Sequence, residues 1–253
     1  MMSMTTSHLP HEPVLQAAET VLLPETDGVP LENPWHRKNI NLLCESLQQH
    51  WKDRRDYFVG GNMCVYYSVK QARNRDFLGP DVFVVQGVDF DKPRQVWATW
   101  EEENRGLDVA IELLSPSTTN HDLTDKKDIY EQKLRTPEYF CFDQETRTLW
   151  GWRLDARRHY QRIEPAADGR LWSEELDLWL GAWDGEFDNF HATWLRWFNA
   201  TGNLCLAPTE DATDQVVAAT ERANAEAERA NQAESELHRL KELLASHGIS
   251  PPS

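Results

Sequence analysis

Three charged side chains stand where charge is expensive. Asp81 follows Pro80 and opens the apolar run Val82-Phe83-Val84-Val85. Glu112 interrupts the run Val109-Ala110-Ile111 and Leu113-Leu114. Lys126 falls inside a stripe formed by Leu123, Ile129, Tyr130 and Leu134 at helical spacing. A carboxylate or ammonium removed from water must be paired, hydrogen-bonded or bound to a metal. Two carboxylates and a nearby ammonium are one physical solution to phosphodiester hydrolysis. Carboxylate oxygens suit Mg²⁺, which keeps several waters and open positions for phosphate. Such a metal polarises a phosphoryl oxygen and acidifies an attacking water, and an ammonium stabilises the negative charge that develops. Each residue alone has an ordinary explanation: turn chemistry for an Asp after Pro, an edge position for a strand Glu, snorkelling for a helical Lys. It is the combination that points to chemistry.

These residues need elements to position them. The aromatic and β-branched stretches 81–85 and 108–114 are predicted strands, and period-two alternation puts Asp108, Ala110 and Glu112 on one face, the less apolar one, which could line a cleft. Residues 122–135 are a predicted helix carrying Lys126 inward. A first helix is expected over 37–52, a strand over 57–69 bent at Gly60-Gly61-Asn62, and a hairpin from 138–143 and 148–154. Late strands at 158–164 and 170–180 follow, turned at Asp168-Gly169. The order of elements predicts an α/β or α+β fold with a mixed sheet.

Composition bounds the rest. The chain has 253 residues, 26 Lys+Arg against 42 Asp+Glu, and a net charge of −16. This argues against a non-specific nucleic-acid coat, which would carry a basic surface. Locally, however, Lys70, Arg73 and Arg75 cluster just before the Asp81 strand and are candidate phosphate-backbone contacts; a solvated loop is their ordinary explanation. No run of apolar residues is long enough to cross a membrane and the N-terminus lacks a secretory pattern, so a cytoplasmic protein is expected. The four cysteines are scattered without a CxxC pair, which disfavours a zinc knuckle or a disulfide framework. No Gly-rich phosphate loop, HExxH or GxSxG is present.

Three segments are expected: a Pro-containing N-terminal arm over 1–34, a folded body over 35–206, and an Ala/Glu-rich helical tail over 207–253. The tail's Ala230, Ala233, Leu237, Leu240 and Leu244 step by three and four, a heptad seam. That seam fits a short coiled coil making the chain a homodimer; a solvated single helix is the alternative. Gly248, Pro251 and Pro252 would stop the helix.

The stretches Pro80-Asp81-Val82-Phe83-Val84-Val85, Glu112-Leu113-Leu114-Ser115-Pro116-Ser117-Thr118, Asp122-Leu123-x-x-Lys126 and Pro137-Glu138-Tyr139-Phe140-x-Phe142-Asp143 resemble the Uma-two family of restriction-endonuclease-like proteins, within the PD-(D/E)XK nuclease superfamily. The resemblance covers roughly residues 30–200. It implies a restriction-endonuclease-like mixed sheet flanked by helices and a Mg²⁺-dependent DNA endonuclease, with Mn²⁺ as a substitute. Asp81 and Glu112 would be the metal ligands, joined by the main-chain carbonyl of Leu113. The superfamily lysine would stand two residues after Glu112, where this chain has Leu114; Lys126 matches the place to which the lysine has moved in this family. His36 and Glu45 on the first helix are possible accessory residues. A second reading keeps the nuclease scaffold without the activity, as an interaction module whose working surfaces are the acidic body, the Trp-rich segment 172–197 and the tail.

Overall fold

A computed structural model describes residue 23 and residues 33–74, 77–116 and 118–246. The expected N-terminal arm lies almost wholly outside these residues, as do Arg75, Ser117 and the helix-stop residues Gly248, Pro251 and Pro252.

Helix α1 spans Pro34–His50. It begins three residues before the helix read from the periodicity, because Asn33 caps it: its side chain accepts the His36 N–H at 2.9 Å, with Pro34 preset for the first turn. The earlier start brings Trp35 and His36 into the helix, and both are buried. The expected bent strand 57–69 is two strands, β1 (Tyr57–Gly61) and β2 (Val65–Tyr66), followed by the short helix α2 (Val69–Arg73). Then come β3 (Val82–Gln86), β4 (Trp97–Ala98), β5 (Val109–Leu114), β6 (Glu138–Asp143), β7 (Thr148–Leu154) and β8 (Tyr160–Arg162). β9 (Leu171–Ser173), β10 (Leu178–Phe187) and β11 (Phe190–Phe198) complete the strands.

The main sheet has six strands in the order β1-β3-β5-β6-β7-β8. Only β5 and β6 run parallel; the other pairs are antiparallel. The parallel pair needs a crossover, and residues 119–134 supply it as one helical stretch, the lysine helix. In it, π turns at Asp122–Lys126 and Tyr130–Leu134 alternate with α turns at Thr119–His121 and Lys127–Ile129. Ser115 prepares its entry, its hydroxyl accepting the Thr118 N–H at 3.3 Å. Arg135 in the left-handed region ends it. Tyr130 and Leu134 of this helix pack with Phe83, Ala110, Leu114, Tyr139 and Cys141 of the sheet in one buried core.

β9, β10 and β11 form a separate antiparallel sheet. The β10–β11 hairpin runs well past the strand expected to end at residue 180. Its turn is Asp188-Asn189, both at positive φ, the geometry of a two-residue hairpin turn. α1 is bonded to β11: Asn39 exchanges two hydrogen bonds with the Leu195 backbone, each 2.9 Å, and the indoles of Trp35 and Trp197 reach backbone carbonyls of Thr193 and Leu43. Trp194 and Trp197 are therefore core residues.

The chain divides into two compact units between Cys205 and Leu206. Among its described residues the second has one helix, Pro208–Ser246, 39 residues long, here called the tail helix. All four cysteines are free thiols. Among the described residues no helix is long and apolar enough to cross a membrane.

Candidate functional site

β3 and β5 pair with Val82 opposite Ile111, so the register continued by one residue sets Asp81 opposite Glu112. Asp81 lies one residue outside β3 rather than opening it. Its carboxylate bridges two elements. One oxygen is 2.8 Å from His36 Nε2 on α1; the other accepts the Leu113 N–H at 2.7 Å. Helix α1 comes this close because residue 61 is glycine: a Cβ there would stand 2.9 Å from Ile40 Cγ2 and 3.1 Å from Cys44 Sγ.

Glu112 is 2% exposed. The face it shares with Ala110 and Leu114 does not line an open cleft, as alternation suggested, because the lysine helix covers it with Tyr130 and Leu134. One Glu112 oxygen accepts the Tyr130 hydroxyl at 3.0 Å and the other is 3.0 Å from Lys126 Nζ. Lys126 Nζ is also 2.9 Å from Asp122 Oδ1, one helical repeat earlier. Asp122 is itself buried, and its carbonyl accepts the Tyr139 hydroxyl at 2.9 Å. The ammonium thus sits between two buried carboxylates while its side chain keeps 17% exposure.

The electrostatics follow from this count. Burial pushes Glu112 up to about 8 against the pull of Lys126, and the neighbouring Asp81 and Asp122 push the same way. Burial disfavours the Lys126 ammonium, but Glu112 and Asp122 outweigh it and hold its pKa above the ordinary lysine value. Lys126 therefore stays charged between Asp122 and Glu112, while Asp81 and Asp122 work against a further negative charge on Glu112.

The structure therefore brings Asp81, Glu112, Leu113, Lys126 and His36 together, and adds Asp122, which sequence reasoning passed over as a helix start. Its signal was present: an acid four residues before an inward lysine. Glu45 is not brought in; it is solvent-exposed, nine residues along α1 from His36. Lys70 and Arg73 are exposed on α2, within the excursion 62–80 whose ends meet where the Asn62 N–H donates to the Asp81 carbonyl at 2.9 Å. Arg75 is outside the described residues. Among the described residues no group of three or more His, Cys, Asp or Glu is arranged to hold a metal ion. Mg²⁺ asks for less, being held by one or two carboxylates and its own waters. Asp81 and Glu112 carry the hard oxygen donors that such a cation takes, each now engaged by protein partners that the cation would replace.

A mixed sheet with an Asp/Glu pair on neighbouring strands and a lysine against it matches the restriction-endonuclease-like arrangement expected from the motifs. The chain belongs to the Uma2 family, described as "Putative restriction endonuclease", whose model matches residues 26–185. Among solved structures it is similar to a crystal structure from Anabaena variabilis described as a putative nuclease belonging to DUF820. That match has 14% identity and a TM-score of 0.42, covering 58% of this chain and 76% of the other. No curated protein matches the chain.

Proposed function

We propose that this chain is a Mg²⁺-dependent endonuclease hydrolysing DNA phosphodiester bonds, with Mn²⁺ able to replace Mg²⁺. The observation that carries the reading is the Lys126 ammonium, 3.0 Å from a Glu112 carboxylate that stands opposite Asp81 on the neighbouring strand. Asp81, Glu112 and the Leu113 carbonyl would hold the cation. When bound, it would supply Lewis acidity toward a phosphoryl oxygen. Lys126 would donate to the negative charge developing on the attacking water or the phosphate. Asp122 would anchor Lys126 alongside Glu112, and His36 would fix the Asp81 carboxylate. Lys70, Arg73 and Arg75 are proposed contacts to the DNA backbone, in a protein working in the cytoplasm.

A second reading, a nuclease-fold interaction module without activity, has one observation in its favour: Glu112 is buried with both oxygens already engaged. Plasmid nicking separates the two. Wild type should cleave with Mg²⁺ or Mn²⁺, while Asp81→Ala and Lys126→Ala, folded by circular dichroism, should not. Cleavage surviving Lys126→Ala removes the lysine's role. No cleavage by wild type with either metal, on single- or double-stranded DNA, favours the interaction module.

A further inference from the structure

The tail helix offers a surface that the catalytic reading does not use. It is a single helix from Pro208 to Ser246, and its large apolar side chains are open to solvent: Val216 is 65% exposed, Leu237 52% and Leu240 51%. An isolated helix of polar composition has little to hold it, and most helical stability comes from packing one face against a partner. Unbroken helix lets the heptad be extended through the whole element. With Leu237 at position a and Leu240 at d, the a positions read Thr209, Val216, Ala223, Ala230, Leu237 and Leu244. The d positions read Ala212, Ala219, Glu226, Ala233 and Leu240, so Thr209 stands at the first turn and Glu226 is the one polar residue that interrupts the apolar seam within.

The flanking charges choose the occupant. In a parallel, in-register pair each g residue meets the e residue of the partner's next heptad, five positions on. Arg229 at g would meet Glu234 of the partner subunit, and Glu236 at g would meet Lys241 of the partner subunit. Both contacts join opposite charges, and both occur twice by symmetry. The small residues at 223, 230 and 233 allow close approach of two backbones, and the leucines close the C-terminal end.

We infer that the tail helix is a dimerisation element: it pairs with a second copy of this chain as a parallel, in-register coiled coil, with Glu226 as its weak point. This goes beyond the nuclease reading and does not depend on it.

Sedimentation equilibrium of the full-length protein is the test, because it measures association and not activity. Wild type should sediment as a dimer at micromolar concentration. Leu237→Glu with Leu240→Glu should weaken the dimer by at least about a hundredfold through lost apolar burial, and Glu226→Leu should strengthen it. Arg229→Glu should weaken it and Arg229→Glu with Glu234→Arg should restore it. All 11 Trp lie between residues 35 and 197, so Trp fluorescence reports independently that the first unit stays folded in each variant. Ala230→Cys should form an intermolecular disulfide on mild oxidation, since only parallel in-register pairing sets the two positions 230 side by side. A monomer at tens of micromolar overturns the proposal. So does a dimer unaffected by the leucine changes, which would use another surface, and so does a dimer that Ala230→Cys fails to cross-link, which would be antiparallel.

Discussion

Strand β5 has a buried carboxylate toward each end, and the two ends are built differently. At its start, Asp108 accepts the Gln86 N–H at 2.6 Å and lies 3.5 Å from Arg105 Nη2. Beside it, Glu138 at the start of β6 takes the Glu174 N–H at 2.9 Å, the Ser173 hydroxyl and Arg153 Nε at 2.7 Å. At the far end, Glu112 faces Lys126 and Tyr130, and Asp81 faces His36. Burial raises the pKa of Asp108, Glu138 and Glu112 alike. A perturbed carboxylate therefore does not by itself mark a site. What separates the ends is the kind of partner. Both ends use backbone N–H groups, Leu113 donating to Asp81 at the second, but arginine closes the first end into a fixed structural knot. The side-chain partners at the second, lysine, histidine and tyrosine, are groups that can shift, exchange a partner or carry a proton.

The sharpest contrast is between Glu112→Gln and Glu138→Ala. Glu112→Gln keeps the shape but removes the group that can ionise to hold a cation, and cleavage should fall by at least about a thousandfold in a still-folded protein. Glu138→Ala takes the acceptor from the Ser173 hydroxyl and the Glu174 N–H, while Arg153 keeps Glu174 and the Trp172 carbonyl; it should cost about 2–4 kcal/mol in urea unfolding while leaving the rate per folded molecule unchanged. If Glu138→Ala loses activity per folded molecule as Glu112→Gln does, the distinction between the ends is wrong. A smaller effect is expected at Asp122, which touches the lysine and not the cation. Asp122→Asn should lower cleavage about tenfold, as loss of an orienting partner does, and Asp122→Glu should recover part of it. An unchanged rate in Asp122→Asn would remove it from the site.

The smallest effect concerns pH at the structural end. Burial, with Asp108 and Glu138 nearby, pushes Glu175 up to about 7 from an ordinary value of 4.5. A raised carboxyl pKa means the folded state holds the proton more tightly. Its contribution to stability is fully present below pH 4.5 and is lost as pH rises through 7. Glu175→Gln should therefore match wild type at low pH and exceed it above pH 7, by about 1 kcal/mol or less after solvent screening. Urea unfolding at pH 4 and pH 8 measures the difference; equal gaps at both would place the stabilisation elsewhere.

Much of this was legible in the residues. β6 and β7 fall on the predicted 138–143 and 148–154, because alternation and a four-residue turn are local signals. Lys126 faces inward as its stripe required. The second half of the β10–β11 hairpin escaped, although Phe187-Asp188-Asn189-Phe190 is itself a hairpin-turn signature. Asp122 escaped because a polar residue at a helix start has a sufficient local explanation. The cleft expected along Glu112 was wrong for a non-local reason: which face of a strand is covered depends on what packs over it.

The sequence alone determined which residues must be paired. Asp81, Glu112 and Lys126 are charges set in apolar runs, and desolvation makes that demand whatever the fold. The Uma2 membership was equally present in the order of the motifs. Only the tertiary structure decided the pairing: Asp81 with His36 across 45 positions, Lys126 shared between Glu112 and Asp122, Glu45 left in solvent. Periodicity fixes a side chain's direction on its own element, whereas its partner is set by sheet register and by where a helix crosses.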